Sequence, residues 1–104
     1  MDFEIKNVKE SIVSVARSLG YVIIDTKGNE YNLVRKLQGN NYPRFHAYVK
    51  SFGGAQDKLN SYEFSLHLDQ KKPSYEGSHA HSGEYFGPVV ETEVDRIKEI
   101  LKNV

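Results

Sequence analysis

Several residue types are missing or scarce in this chain of 104 residues, which has no cysteine, no tryptophan and only three prolines. Without cysteine the protein can form neither disulfides nor thiolate zinc ligands, and it has no cysteine nucleophile. Its 14 basic and 14 acidic residues give a formal charge of zero, so no overall field attracts nucleic acid or an anionic membrane. Any binding or catalysis must therefore depend on particular side chains rather than on the net charge.

Long apolar runs are also missing. The first ten residues, MDFEIKNVKE, carry charges throughout, and no later stretch approaches the roughly 18 apolar residues of a membrane-spanning helix. A chain of this length is sufficient for one modest hydrophobic core. We therefore expect a single domain over residues 1–104 that lies in the cytoplasm and does not associate with membranes.

Two segments have the periodicity of amphipathic helices. Apolar residues over 8–19 recur on one helical stripe, with Asn7 as the expected N-cap and Gly20 as the residue that ends the helix. The second helix is predicted to begin at Pro88, which suits the first helical position. Its apolar stripe comprises Val90, Val94, Ile97 and Leu101.

Alternation of apolar and polar residues predicts strands between these helices. Segments 21–25 and 30–38 flank a turn that contains Gly28, and they predict a hairpin. Segments 44–52 and 61–69 alternate with a period of two, so each is expected to bury one face only. The predicted fold is an α+β two-layer sandwich with the order helix, three or four antiparallel strands, helix.

The segment 67–87, HLDQKKPSYEGSHAHSGEYFG, contains three of the four histidines of the chain. Residues 70–87 within it show no apolar periodicity, and a connection of this length is uncommon in a compact domain unless it is functional or disordered. We therefore expect an ordered loop that forms a ligand site beside the polar face of the sheet.

Imidazole and carboxylate groups in this segment suggest a metal site. His67 and Asp69 share one side of the predicted strand, and His79, His81 and Glu84 follow in the loop. Together these groups could coordinate zinc or another divalent transition metal. The competing interpretation is that the loop histidines are solvated and that His67 only forms hydrogen bonds on the sheet.

Catalysis without a metal is a second hypothesis for the same residues. A histidine oriented by a carboxylate could act as a general base. The candidate catalytic residues are His46, His67, Asp69 and Glu84. Whether the protein is an enzyme stays open, because none of these residues belongs to a specific catalytic motif.

Two alternatives come from other functional classes. Basic and aromatic residues could bind RNA as a nucleic-acid-binding or toxin-like module. These residues are Arg44, Tyr48, Lys50, Lys71, Lys72 and Tyr75. The protein could instead act purely through protein interaction, for example as a homodimer that pairs through an exposed strand edge.

Short motifs resemble known families. The stretches Leu19-Gly20-Tyr21-Val22 and Lys27-Gly28-Asn29, with the predicted element order, are similar to the double-stranded-RNA-binding fold and to HicA-type toxin ribonucleases. Asn29 and Glu30 occupy the positions where those toxins have their catalytic motif, so the resemblance does not extend to that activity. The stretches YPRFHAYVK, SLHLDQKKPSYEGSHAHSGEY and ETEVDRI also resemble small uncharacterised proteins without a known activity.

Overall fold

The structure, a computed structural model, describes residues 1–53, 59–70, 83–84 and 87–102. It is an α+β protein with two helices and an antiparallel sheet. The elements in chain order are β1 (Asp2–Val8), α1 (Ile12–Leu19), β2 (Val22–Lys27), β3 (Glu30–Lys36), β4 (Arg44–Gly53), β5 (Asn60–Asp69), β6 (Gly83–Glu84) and α2 (Pro88–Leu101).

A strand precedes the first helix, so the predicted helix-first order is wrong. β1 pairs with β5, with Phe3 opposite Phe64 and Ile5 opposite Tyr62. The pairing then shifts between Ile5 and Val8, and Asn7 in that interval has a positive φ of 62°. Phe3 and Ile5 are odd-numbered residues and Val8 is even-numbered, so a regular strand would place Val8 on the other side of the sheet. The bulge reverses this and buries Val8 in the core.

The first helix begins later than its apolar stripe predicts. Ser11 is the N-cap, and its hydroxyl accepts a hydrogen bond from the backbone N–H of Ser14. Asn7 is therefore not the cap, because it lies in β1. The predicted end of the helix is confirmed, since Gly20 adopts a left-handed conformation with a φ of 81°.

Five strands lie side by side in the order β1-β5-β4-β3-β2, with neighbours antiparallel. The predicted hairpin is confirmed: Lys27 pairs with Glu30 across a two-residue turn in which Gly28 has a φ of 61°. The two-residue strand β6 pairs with the end of β5. Part of the connection 70–87 is thus a short strand, where no regular structure was predicted.

The apolar core combines both helices with one face of the sheet. Every second residue of the central strands is buried in it, including Phe45, Ala47 and Val49 on β4. The stripe predicted for α2 is buried in the same cluster. No helix among the described residues is both long and apolar enough to span a membrane.

A buried polar cluster joins the two helices to the sheet. Glu93 of α2 is only 4% exposed, and it accepts a 2.6 Å hydrogen bond from the Tyr21 hydroxyl and bonds of 2.7 and 2.9 Å from Arg96. Arg35 of β3 lies 3.5 Å away, and Arg96 also donates to the Leu19 carbonyl at the end of α1. Burial and the Glu93 carboxylate both raise the pKa of Tyr21. We call these groups the Glu93 cluster.

Candidate metal site

The side of the sheet opposite the core is lined by polar side chains. Strands β4 and β5 pair with His46 opposite His67, Arg44 opposite Asp69 and Tyr48 opposite Ser65. Paired residues in antiparallel strands project to the same side. We call this side the polar face; its members on β3, β4 and β5 include Asn32, Val34, Arg44, His46, Tyr48, Lys50, Glu63, Ser65, His67 and Asp69.

Two imidazoles meet one carboxylate on this face. His67 Nε2 lies 2.8 Å from Asp69 Oδ1, and His46 Nδ1 lies 3.3 Å from Asp69 Oδ2. The potential ligand atoms of the three residues are all within 4.8 Å of one another. We call His46, His67 and Asp69 the His-Asp cluster. Its geometry follows from strand pairing, which fixes His46 beside His67, and from the two-residue repeat that places Asp69 on the same side.

The cluster is largely shielded from solvent. The side chains of His67, His46 and Asp69 are 9%, 12% and 20% exposed, respectively. Tyr48 covers both imidazoles, since its ring centroid lies 4.4 Å from that of His46 and 5.8 Å from that of His67. Electrostatic interactions within the cluster are therefore screened less than those of surface charges.

Two further polar residues orient the cluster. Oδ1 of Asn32 lies 3.0 Å from His46 Nε2, so the imidazole bonds to β3 through one nitrogen and faces Asp69 with the other. Arg44 donates from Nε to Asp69 Oδ2 at 3.4 Å, and its guanidinium carbon lies 4.7 Å from the centre of the Tyr42 ring. These contacts restrain the carboxylate and one imidazole in the way that outer-shell residues restrain metal ligands.

Burial lowers the pKa of His46 below its ordinary value. Asp69 opposes this effect, whereas the nearby His67 and Arg44 add to it. The neutral imidazole, which is the form that binds metals, is therefore favoured at neutral pH.

The structure brings together only part of the predicted metal site. His67 and Asp69 are adjacent, as expected from their spacing, and their third partner is His46, which the sequence indicated only as a catalytic candidate. His79 and His81 lie outside the described residues. Glu84 pairs through its backbone with Leu68, while the position opposite Asp69 is held by Gly83.

Asn32 and the place of His46 in the His-Asp cluster were not predicted from the sequence. Alternation along β4 already placed His46 on the polar side, but its neighbour on β5 depends on the pairing register, which neither strand specifies alone. Asn32 lies on β3 opposite Tyr48. The available signal was the alternation of apolar and polar residues in the second segment of the predicted hairpin, which places Asn32 on the polar side. Glu93 also had a signal, because it falls on the apolar stripe of α2 between Val90 and Val94.

The residues proposed for RNA binding are only partly described. Arg44, Tyr48 and Lys50 lie on the polar face, whereas Lys71, Lys72 and Tyr75 lie outside the described residues. Lys50 is opposite Glu63 and lies 3.9 Å from Glu30. RNA binding stays a prediction, and a steep loss of affinity with added salt would be its signature.

A scan against protein-family models and searches of curated proteins and of solved structures found no match to this chain. The resemblances to RNA-binding folds, to toxin ribonucleases and to small proteins with similar motifs therefore stay predictions.

Proposed function

We propose that this protein binds a divalent transition metal ion, such as zinc, through His46, His67 and Asp69. The observation that carries the proposal is the convergence of three potential ligand atoms within 4.8 Å on adjacent positions of two paired strands. Two imidazoles and a carboxylate are a common ligand set for zinc and for iron(II).

The separations between the ligand atoms suit a metal of this size. Ligand atoms about 2.0–2.1 Å from a tetrahedral zinc ion lie about 3.3 Å from one another. The distance of 3.3 Å between His46 Nδ1 and Asp69 Oδ2 equals that value, and the 2.8 Å between His67 Nε2 and Asp69 Oδ1 is slightly shorter. These two distances involve different oxygens of Asp69, and the ligand atoms of the set lie up to 4.8 Å apart, so side-chain rotations would be needed to bring three of them around one ion.

The hydrogen bond of His46 gives a chemical reason for a cation here. When Nε2–H donates to Asn32 Oδ1, a neutral His46 has an electron pair at Nδ1, which faces the Asp69 carboxylate. An electron pair beside a carboxylate oxygen is repulsive, and a metal ion between them would convert the repulsion into two coordinate bonds. His67 Nε2, which bonds to Asp69 Oδ1, would release a proton when the ion binds.

A competing arrangement needs no metal. Reversing the Asn32 amide lets its NH₂ group donate to His46 Nε2, and His46 Nδ1–H then donates to Asp69. The cluster would in that case be a closed network of hydrogen bonds with a purely structural role. The two arrangements predict different protonated nitrogens on His46, which nitrogen-15 NMR of the ring distinguishes.

Three protein ligands leave at least one coordination position for water or a substrate, as in catalytic rather than structural zinc sites. We infer that this position faces away from the core, because the three ligands lie on the side of the sheet opposite the buried apolar residues of β4. Catalysis at this position would be a further step, in which Arg44 beside Asp69 could bind an anionic group.

The direct test is calorimetric titration of untagged protein with zinc and with nickel at pH 7.5 and pH 5. We expect one ion per chain at the higher pH and at least tenfold weaker binding at the lower pH, because protons compete with the metal for the imidazole nitrogens. The substitutions His67→Gln and Asp69→Asn should each remove the binding. No binding at either pH would refute the proposal.

Two controls make this experiment specific. Asp95→Asn removes an exposed carboxylate on α2 and should leave the affinity unchanged, so an equal loss there would indicate nonspecific binding. His79→Gln with His81→Gln tests whether the predicted loop histidines add ligands. A loss confined to that double variant, with Asp69→Asn unaffected, would move the site away from the His-Asp cluster.

A further inference from the structure

A groove of about 640 Å³ crosses the polar face next to the His-Asp cluster. It runs across the strands, and its floor is a row of paired residues that the strand registers define. This row, which we call the groove row, comprises Asp2, Ser65, Tyr48, Asn32 and Asp25 on β1, β5, β4, β3 and β2, respectively. A volume of this size is typical of a small-molecule site rather than a macromolecular interface.

The groove is acidic. Its lining includes five carboxylate side chains: Asp2, Glu4, Asp25, Glu30 and Glu63. Among the described lining residues, two lysines, Lys27 and Lys50, oppose them. A nucleic acid or another polyanion would be repelled, whereas a cationic ligand would be attracted.

Two carboxylates are paired in a way that a cation would relieve. Glu4 and Glu63 lie directly opposite each other on β1 and β5, and like charges in that relation destabilise a sheet. Of the carboxylates that line the groove, Glu4 forms an ion pair with Lys6 and Glu30 with Lys50, whereas none is found for Asp2, Asp25 or Glu63 among the described residues. Among the described residues that line the groove, five carboxylates face two lysines, one of which, Lys50, lies opposite Glu63, so an excess of negative charge remains.

The shape of the groove row indicates what kind of cation fits. Its two ends are the carboxylates of Asp2 and Asp25, four strand spacings or about 19 Å apart. Between them lie only uncharged residues, with the aromatic ring of Tyr48 at the centre and 49% exposed. Acidic ends and an aromatic middle suit a linear molecule with a positive charge at each end and methylene groups between.

We propose that this groove binds a linear polyamine. Its terminal ammonium groups pair with Asp2 and Asp25, its chain lies on Tyr48, and an inner ammonium group lies near Glu63. Binding here does not require the metal ion, because none of these residues belongs to the His-Asp cluster.

Spermine titration followed by amide NMR tests the proposal. We expect saturable shifts at Tyr48, Asn32 and Ser65, and affinity that decreases with added salt. Diaminodecane should bind at least fivefold more tightly than diaminopropane, which has the same charge but cannot span the groove. Equal affinities for the two diamines, or shifts spread over the whole surface, would overturn the proposal.

Substitutions locate the binding. The double variant with Asp2→Asn and Asp25→Asn should bind spermine at least fivefold more weakly; asparagine at position 25 keeps the acceptor for the Thr26 N–H. Asp95→Asn on α2 is the matched control and should retain full affinity. An equal loss in the control, or tighter binding of a lysine-rich peptide than of spermine, would contradict a polyamine groove.

Discussion

The Glu93 cluster and the His-Asp cluster both hold a carboxylate among several polar partners, but the partners differ in kind. Around Glu93 they are two arginines, which stay charged at every accessible pH, and a tyrosine whose pKa is raised by burial. Around Asp69 two of the partners are imidazoles, whose ring nitrogens can coordinate a metal.

The two clusters also differ in what they connect. Glu93 joins α2 to β3, to Tyr21 and, through Arg96, to the end of α1. The His-Asp cluster lies on two neighbouring strands that are already held by backbone hydrogen bonds. We infer that the first cluster holds the fold together, whereas the second contributes little to stability and is available for a ligand.

The largest expected effect on stability is that of Glu93→Gln. Removing this buried charge leaves Arg35 and Arg96 without their partner, and we expect a loss of about 2–3 kcal/mol because both arginines are partly solvated. Urea unfolding measures the loss, with Glu91→Gln as an exposed control on the same helix. Equal stability of the two variants would remove the distinction between the clusters.

A smaller effect is expected for Tyr21→Phe. This substitution deletes one hydrogen bond to the Glu93 carboxylate. Bonds to charged groups contribute about 1.5–3 kcal/mol, and we expect a loss of about 1.5 kcal/mol because the carboxylate keeps its bonds from Arg96. Tyr48→Phe is the matched control on the polar face, where the ring is half exposed. If the control destabilises the protein as much as Tyr21→Phe, the polar face contributes more to stability than we infer.

The smallest effect is the pH dependence that His46 contributes. Because its pKa is lower in the folded state than its ordinary value near 6.5, the unfolded state binds more protons as the pH falls below that value. The His46 contribution is thus complete above about pH 6.5 and is lost toward pH 5, with a slope of at most about 1.4 kcal/mol per pH unit.

Urea unfolding of the wild type and of His46→Gln at pH 7 and pH 5 measures this difference. The variant should lose less stability on acidification than the wild type. A wild type that loses less than the variant would mean that protonated His46 is stabilised by Asp69, and that the His-Asp cluster acts as an ion pair.

Sequence periodicity was sufficient for most elements but failed where a bulge or a cap decides the structure. The alternation over 44–52 and 61–69 predicted β4 and β5 and their polar sides. β1 was missed because its bulge breaks the two-residue repeat, and Val8 then coincides with the helical stripe that starts at Ile12. The unusual backbone conformation of a single residue such as Asn7 cannot be recognised from the spacing of apolar residues in the sequence.

The candidate site was predictable only within a single strand. His67 and Asp69 lie two residues apart, so strand geometry alone places them together. His46 is 21 positions before His67, and the contact between them depends on the register between β4 and β5, which neither strand specifies alone. The Glu93 cluster depends on contacts up to 77 positions apart and could not be derived from local patterns.

Thermal unfolding with and without zinc, for the wild type, Asp69→Asn and Glu93→Gln, tests the central claim most directly. A ligand that binds only the folded state raises the midpoint. We predict that zinc raises it for the wild type and for the less stable Glu93→Gln, but not for Asp69→Asn. A zinc-dependent rise in Asp69→Asn equal to that of the wild type, or no rise in the wild type, would contradict the assignment of the His-Asp cluster as a metal site.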